Sequence, residues 1–202
     1  MFLDKDGTLV DDVPYNVDPA QIRLTRNAAA GIRTLYTSGY TLIVISNQSG
    51  VAYGYFAETA LRGVERRLGQ LLAAAGAHLT DMYYCPHHPL GSVPAYARAC
   101  WGRKPSPGLI LQAAREHNIE VSDSWFVGDI LDDVEAGRRA GCGTVLLNNG
   151  HETEWRMSSL RNPHAVAPDL QAAADIILAV SRRVYANRVQ LEPSAKYLVR
   201  PT

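Results

Sequence analysis

The chain carries no net charge, its 20 basic and 20 acidic residues cancelling over 202 positions. Without a basic excess there is no long-range field to gather nucleic acid or an anionic membrane surface, so an anionic ligand has to be held by a few local groups. Cysteine is scarce, three residues and an odd number, which argues against a disulfide framework and turns attention to metal-binding or inert thiols. No stretch approaches the ~20 apolar residues of a membrane span, and the N-terminus lacks the charged start and apolar run of a secretory signal. The expectation is a cytoplasmic protein with no nucleic-acid or membrane partner. Internal repeats and low-complexity tracts are absent too. What is present is an ordinary hydrophobic content of 47%, enough for one core of respectable size. Met1 stands only three residues before Asp4, a short lead-in for a strand, so the native start is expected further upstream.

Apolar runs at Tyr40 to Ile45, Met82 to Tyr84, Trp125 to Val127 and Thr144 to Leu147, each bounded by glycine or polar residues, predict buried strands. Met1-Phe2-Leu3 predicts the end of another. Helical patterns lie between them. Residues 26–38 follow Thr25 as N-cap and stop at Gly39, and residues 57–75 carry Leu61, Val64, Leu68, Leu71 and Leu72 at helical spacing. Residues 107–118 follow Ser106 as a cap with Pro107 at the first helical position, and residues 132–140 precede Gly141. A last helix is expected from Pro168 to Arg183, so that residues 1–184 form one domain and residues 185–202 a tail. Alternating strands and helices imply right-handed crossovers and a mainly parallel sheet covered on both faces: an α/β, Rossmann-like three-layer sandwich with its site at the strand C-termini.

Four segments fall at such strand ends. Asp4-Lys5-Asp6-Gly7-Thr8 places two carboxylates two positions apart, on one side of a fraying strand. Acids so close repel, and a hard divalent ion is the simplest way to keep both ionised; an ordinary acidic turn is the alternative. Strand two ends in Ser46-Asn47-Gln48-Ser49-Gly50, where a hydroxyl and backbone N–H groups can meet a phosphate oxygen. Arg103 and Lys104 sit beside a helix start, a setting that receives phosphate well. Gly128-Asp129 closes a buried strand with Asp129 positioned as a metal ligand, while Asp132 and Asp133 serve either the site or merely the helix start. His151 and Trp155 are either pocket-lining or a solvated loop residue and a packing aromatic.

In this order the four segments resemble the haloacid dehalogenase (HAD) superfamily of aspartyl-phosphate phosphatases, over residues 1 to about 180. The resemblance implies Asp4 as nucleophile, Asp6 as general acid and then base, and Ser46 and Lys104, with Asn47 and Arg103 beside them, as phosphate holders. It implies Mg²⁺ on Asp4, the Asp6 carbonyl oxygen and Asp129. The chemistry is coherent: carboxylate attack on a phosphoryl dianion needs Mg²⁺ and Lys104 to offset repulsion, and a carboxyl near a metal suits the acid–base role.

The intervals from Thr8 to Ser46 and from Ser46 to Lys104 leave no room for a separate cap domain. Within the capless group, Ser46 to Ala52, Gly54-Tyr55-Phe56 and Cys85 to Pro105 look like the branch of D,D-heptose 1,7-bisphosphate and histidinol-phosphate phosphatases. That branch winds its long loop around zinc with a Cys-x-His and a later Cys-x-Cys pair. Cys85, His87 and Cys100 match, but Gly102 occupies the fourth position, leaving water, His88 or nothing in its place. The alternative is a loop shaped by packing alone. Tyr53 and Ile130 stand where relatives often carry Arg and Lys, which favours a monophosphate or a different polyol phosphate over a bisphosphate. The expected activity is Mg²⁺-dependent hydrolysis of a small phosphorylated sugar by a monomer. Histidinol-phosphate phosphatase is the runner-up, and a non-catalytic phospho-acceptor or binding module is the rival from another class. Asp6 argues against a stable phospho-acceptor, because an acid placed to activate water is what a phosphatase needs.

Overall fold

The computed structural model describes the backbone of residues 1–191 and side chains as far as Arg183. Six parallel strands form one sheet in the order β3-β2-β1-β4-β5-β6: β1 Phe2–Leu3, β2 Leu42–Asn47, β3 Leu79–Cys85, β4 Trp125–Gly128, β5 Gly143–Leu147 and β6 Ala165–Ala167. Between them run α1 Ala28–Thr37, α2 Leu61–Ala74, α3 Gly108–Glu116 and α4 Leu131–Ala140, with α5 Leu170–Leu191 last.

Side chains alternate across a strand, and the central strands use both directions for core. Leu3, Val44, Val127 and Val145 face a cluster built with Ile32 and Leu35 of α1, Val64 and Leu68 of α2, and Leu170 and Ile177 of α5. Phe2, Ile43, Ile45 and Phe126 face the opposite way, onto Leu109, Ile110 and Ala113 of α3 and Ala136 and Ala140 of α4. The result is the expected three-layer α/β sandwich without a separate cap domain. Leu61, Val64, Leu68 and Leu72 form the fully buried stripe of α2, each leucine or valine contributing about 1.5–3 kcal/mol by leaving water. β1 is only two residues long yet central, pairing with Ile43 and Val44 on one side and Phe126 and Val127 on the other. The strand order reverses direction of growth at this strand, which puts the crevice for a ligand above the C-terminal ends of β1 and β4.

Several boundaries depart from the sequence expectations. Thr25 does not cap α1: Asn27, with φ of 62°, precedes the helix, and the Thr25 hydroxyl donates instead to Thr8 O at 2.8 Å. Pro107, not Ser106, occupies the position before α3, and no side chain caps it. β3 extends back to Leu79 through the polar Thr80-Asp81, which hides it from an apolar-run search. β6 is a three-residue edge strand between Pro163 and Pro168, too short to show a period. α5 continues through Leu191, so the first part of the expected 185–202 tail is helix. Residues 192–202 lie outside the described residues. No helix among the described residues is long and apolar enough to cross a membrane.

Candidate active site

β1 ends at Leu3, and the chain turns at once through Asp4 to Gly7. The Asp4 N–H donates to Val127 O at 2.9 Å, so the first acid is fixed to the neighbouring strand before the loop opens. Gly7 takes φ of 75°, and a Cβ there would lie 2.0 Å from Asp129 Oδ2, so only glycine lets the two loops close on each other.

Asp4, Asp129 and Asp133 are all buried, and one carboxylate oxygen from each falls within 4.8 Å of the others. Asp4 leaves β1, Asp129 leaves β4, and Asp133 stands one turn on in α4. Lys104 joins them from the loop before α3. Its ammonium bonds Asp4 Oδ1, lies 2.6 Å from Asp133 Oδ1, donates to Ile45 O at 3.2 Å and stands 5.6 Å from the Phe126 ring centre. Burial opposes that charge, but Asp133 and Asp4 more than offset it and hold the lysine pKa above its ordinary value. Burial, countered by Lys104, pushes Asp4 up to about 6. Burial and then the Asp4 charge push Asp129 up to about 8, and burial raises Asp133 as well. With all three carboxyls ionised, one ammonium would leave two negative charges uncompensated, and burial accordingly shifts these groups toward their protonated forms. Asp133 Oδ1, moreover, has an ion pair but no directed hydrogen bond. An all-oxygen donor set with that excess fits a hard divalent cation such as Mg²⁺.

Asp6 points the other way. Lys5 bonds its Oδ1, Gln48 Nε2 donates to its Oδ2 at 3.2 Å, and burial raises its pKa. Its side chain is a third exposed and lines a cleft of about 270 Å³ with Asp12, Tyr15, Gln48 and Ser49. A larger hollow of about 500 Å³ lies at Trp125 and Gly143, the opposite ends of β4 and β5, away from this chemistry.

Ser46 is buried at the end of β2, and its Oγ accepts from Gln48 Nε2 at 2.8 Å. Asn47, expected on the phosphate, is spent otherwise: its Oδ1 accepts from Lys104 N at 3.0 Å and its Nδ2 donates to Lys104 O at 3.1 Å. That double bond of the amide to one residue's backbone aims Lys104 into the site. Arg103 donates to His87 O at 3.5 Å, at the base of the long loop.

In that loop Cys85, His87 and Cys100 bring their ligand atoms within 4.8 Å of one another. A Cβ at Gly102 would stand 3.6 Å from Cys100 Sγ, which marks where the missing fourth ligand would enter. His88 does not replace it: its ring lies 2.9 Å from Tyr53 Oη and accepts from Leu90 N at 3.1 Å. Two thiols and an imidazole suit zinc, but in an open site rather than a closed structural one. Cys142 is core, packed beside Phe126.

The sequence leaves the roles of Asp133 and of His151 undecided and gives no role to Asn149 or Glu152. Asn149 Nδ2 donates to Gly7 O at 2.7 Å, His151 Nδ1 lies 2.6 Å from Asp129 Oδ2, and Glu152 Oε2 accepts from Leu131 N at 2.6 Å. Trp155 is on the surface, half exposed. Asp133 had a signal, four residues after Asp129 on the same helical entry; the Asn149 to Glu152 contacts had none, since they depend on tertiary placement.

Residues 101–173 match a family model described as HAD-hydrolase-like. A D-glycero-alpha-D-manno-heptose-1,7-bisphosphate 7-phosphatase from Photorhabdus laumondii is 36% identical over 153 residues, covering 75% of this chain and 84% of that protein. The chain belongs to the HAD-like hydrolase family. Its solved relatives include a HAD-like phosphatase from Mesorhizobium loti, with TM-score 0.77 and 31% identity, covering 90% of this chain and 85% of that one. A D,D-heptose 1,7-bisphosphate phosphatase from B. bronchiseptica, complexed with magnesium and phosphate, superposes with TM-score 0.72 at 27% identity, covering 89% of this chain and 98% of that one. These relatives place the HAD-like chain among the phosphatases of its family.

Proposed function

We propose that the chain is a Mg²⁺-dependent phosphomonoesterase that works through an aspartyl phosphate on Asp4. The observation that carries this is the convergence of the buried Asp4, Asp129 and Asp133 carboxyls on one spot, with the Lys104 ammonium between Asp4 and Asp133. Asp4, Asp129 and the Asp6 carbonyl oxygen would hold Mg²⁺, with Asp133 beside them. When bound, the ion supplies charge neutralisation at the phosphoryl oxygens. Lys104 and Ser46, with Arg103 in reach of the loop, hold those oxygens so that phosphorus faces Asp4 in line. The Asp4 carboxylate forms the new P–O bond as the ester P–O bond breaks. Asp6, whose raised pKa favours the protonated form, gives its proton to the departing alcohol oxygen. It then takes a proton from the water that attacks phosphorus and frees Asp4.

The substrate proposed is a small phosphorylated sugar, most like D-glycero-D-manno-heptose 1,7-bisphosphate, the compound named for the relatives. One observation favours an amino-alcohol phosphate such as histidinol phosphate as second reading. The cleft beside Asp6 carries Asp12 and Tyr15, its Lys5 is already bonded to Asp6, and Tyr15 packs edge-on to Tyr55 at 4.7 Å and to Tyr53 at 6.2 Å. Acids and aromatic faces receive a cation better than a second phosphate. A monomer in a cytoplasmic setting belongs to the same proposal, the latter supported by the free thiols among the described residues. Zinc is proposed on Cys85, His87 and Cys100 with solvent as fourth ligand.

Phosphate release from heptose bisphosphate, histidinol phosphate and sugar monophosphates, measured with Mg²⁺ and with EDTA, tests this reading. Steady release that EDTA abolishes is expected. A stable phosphoprotein without turnover would instead identify a phospho-acceptor.

A further inference from the structure

We propose that His151 is a positioning residue for the metal site, holding the Asp129 carboxylate in its binding orientation; this rests on the Mg²⁺ reading above. Two side chains reach the Asp129 carboxyl. The Thr8 hydroxyl reaches Oδ1 at 3.3 Å, a long contact, whereas His151 Nδ1 reaches Oδ2 at 2.6 Å. With the carboxylate ionised, the hydrogen resides on Nδ1, and this short bond fixes the rotation of the carboxyl plane. Each oxygen keeps a further lone pair for a cation.

The imidazole is itself held by a strap. Asn148 N donates to Ala167 O at 2.8 Å, tying the segment to β6, and Gly150 turns it with φ of 96°. Asn149 then grips Gly7 O in the nucleophile loop, and Glu152 accepts the Leu131 N–H at the start of α4. Within four residues the strap therefore touches the loop of Asp4 and Asp6, the ligand Asp129, and the helix that carries Asp133. A side chain orienting a ligand in this way sets metal affinity without touching the reacting atoms.

The test is direct binding of Mn²⁺ alone, followed by electron paramagnetic resonance, and of Mg²⁺ by calorimetry, on the full chain and its variants. His151→Ala is expected to weaken both metals about 10–100-fold. Metal-free melting should stay close to wild type, because the ring is over a third exposed. In turnover the Mg²⁺ half-saturation should rise while kcat at saturating metal holds, and His151→Asn, which keeps an N–H donor, should recover much of the affinity. Asn149→Ala, which loosens the strap but keeps the imidazole, should give a smaller loss. Unchanged or tighter metal binding in His151→Ala overturns the proposal, since the ring would then only be occupying the cation's place. Absence of binding in the wild type overturns the Mg²⁺ reading itself, and the proposal with it.

Discussion

Two groups of metal-capable side chains are found among the described residues, and they are built in opposite ways. The carboxylate group stands at the ends of β1 and β4 and the start of α4, wholly buried, with a lysine wedged among its members. The thiol group sits at the end of β3 and along a loop, with Cys85 buried, His87 and Cys100 partly exposed, and a glycine where a fourth ligand would complete it. In the first, strands that are already buried for packing reasons hold the acids in place, so their geometry does not depend on an ion. In the second, the loop is tied down by its own hydrogen bonds, such as Val93 N to Ala52 O and Ser92 Oγ to Tyr53 O, and a bound ion would find one thiolate missing. The two groups therefore differ in position on the sheet as well as in ligand type.

The largest effect is expected from breaking the carboxylate group at its nucleophile. Asp4→Asn should lower kcat on the order of 10⁴-fold or more, read as phosphate release from an aryl phosphate. Asp6→Asn should cost about 10²–10⁴-fold on an alkyl phosphate and distinctly less on an aryl phosphate, whose leaving group needs no proton. Equal losses on both substrates would remove Asp6 from the acid role.

Sharpening the other half of the comparison calls for Gly102→Cys. A thiolate there should tighten zinc at least about tenfold, or ~1.4 kcal/mol, in competition with a chromophoric chelator. The Leu109 side chain, 3.2 Å from the added Cβ, has to give slightly. Catalysis should change little, and no gain in affinity would show that these three residues do not form a zinc site.

The smallest effect is a pH dependence confined to the carboxylate group. Burial raises Asp4 to about 6 and Asp129 to about 8 in the folded protein, against ~3.9 for an unfolded aspartate. Between these values the native state binds more protons than the unfolded state, so these groups make stability fall as pH rises. Thermal melts of metal-free protein should therefore lose a few degrees from about pH 6 to 8, and saturating Mg²⁺ should flatten the slope. A melting temperature that climbs over this interval without metal would show that burial does not hold these acids protonated.

Much of this was legible in the chain. The sheet and the placement of Asp4, Ser46 and Asp129 follow from apolar runs ending in polar residues, because a fully buried parallel strand advertises both its length and its end, and Lys104 follows from the helix start beside it. β6 and the polar first half of β3 were not legible, since edge strands need no continuous apolar run. Thr25 and Asn47 were assigned local or ligand-facing roles from their types, yet each serves a distant backbone, Thr8 and Lys104 respectively. Such pairings join residues 17 and 57 positions apart and leave no periodic trace. His151 stood out as a pocket candidate, but its partner Asp129, 22 positions away, left no such trace.

The central claim is a phosphoryl group carried by Asp4, and trapping it is the most direct test. Protein mixed with substrate and Mg²⁺, quenched in acid and reduced with borohydride, should carry homoserine at position 4 in its peptide mass spectrum, and lack it when Mg²⁺ is withheld. Steady phosphate release with Asp4 unmodified, or with the reduced residue at another carboxylate, would contradict the account.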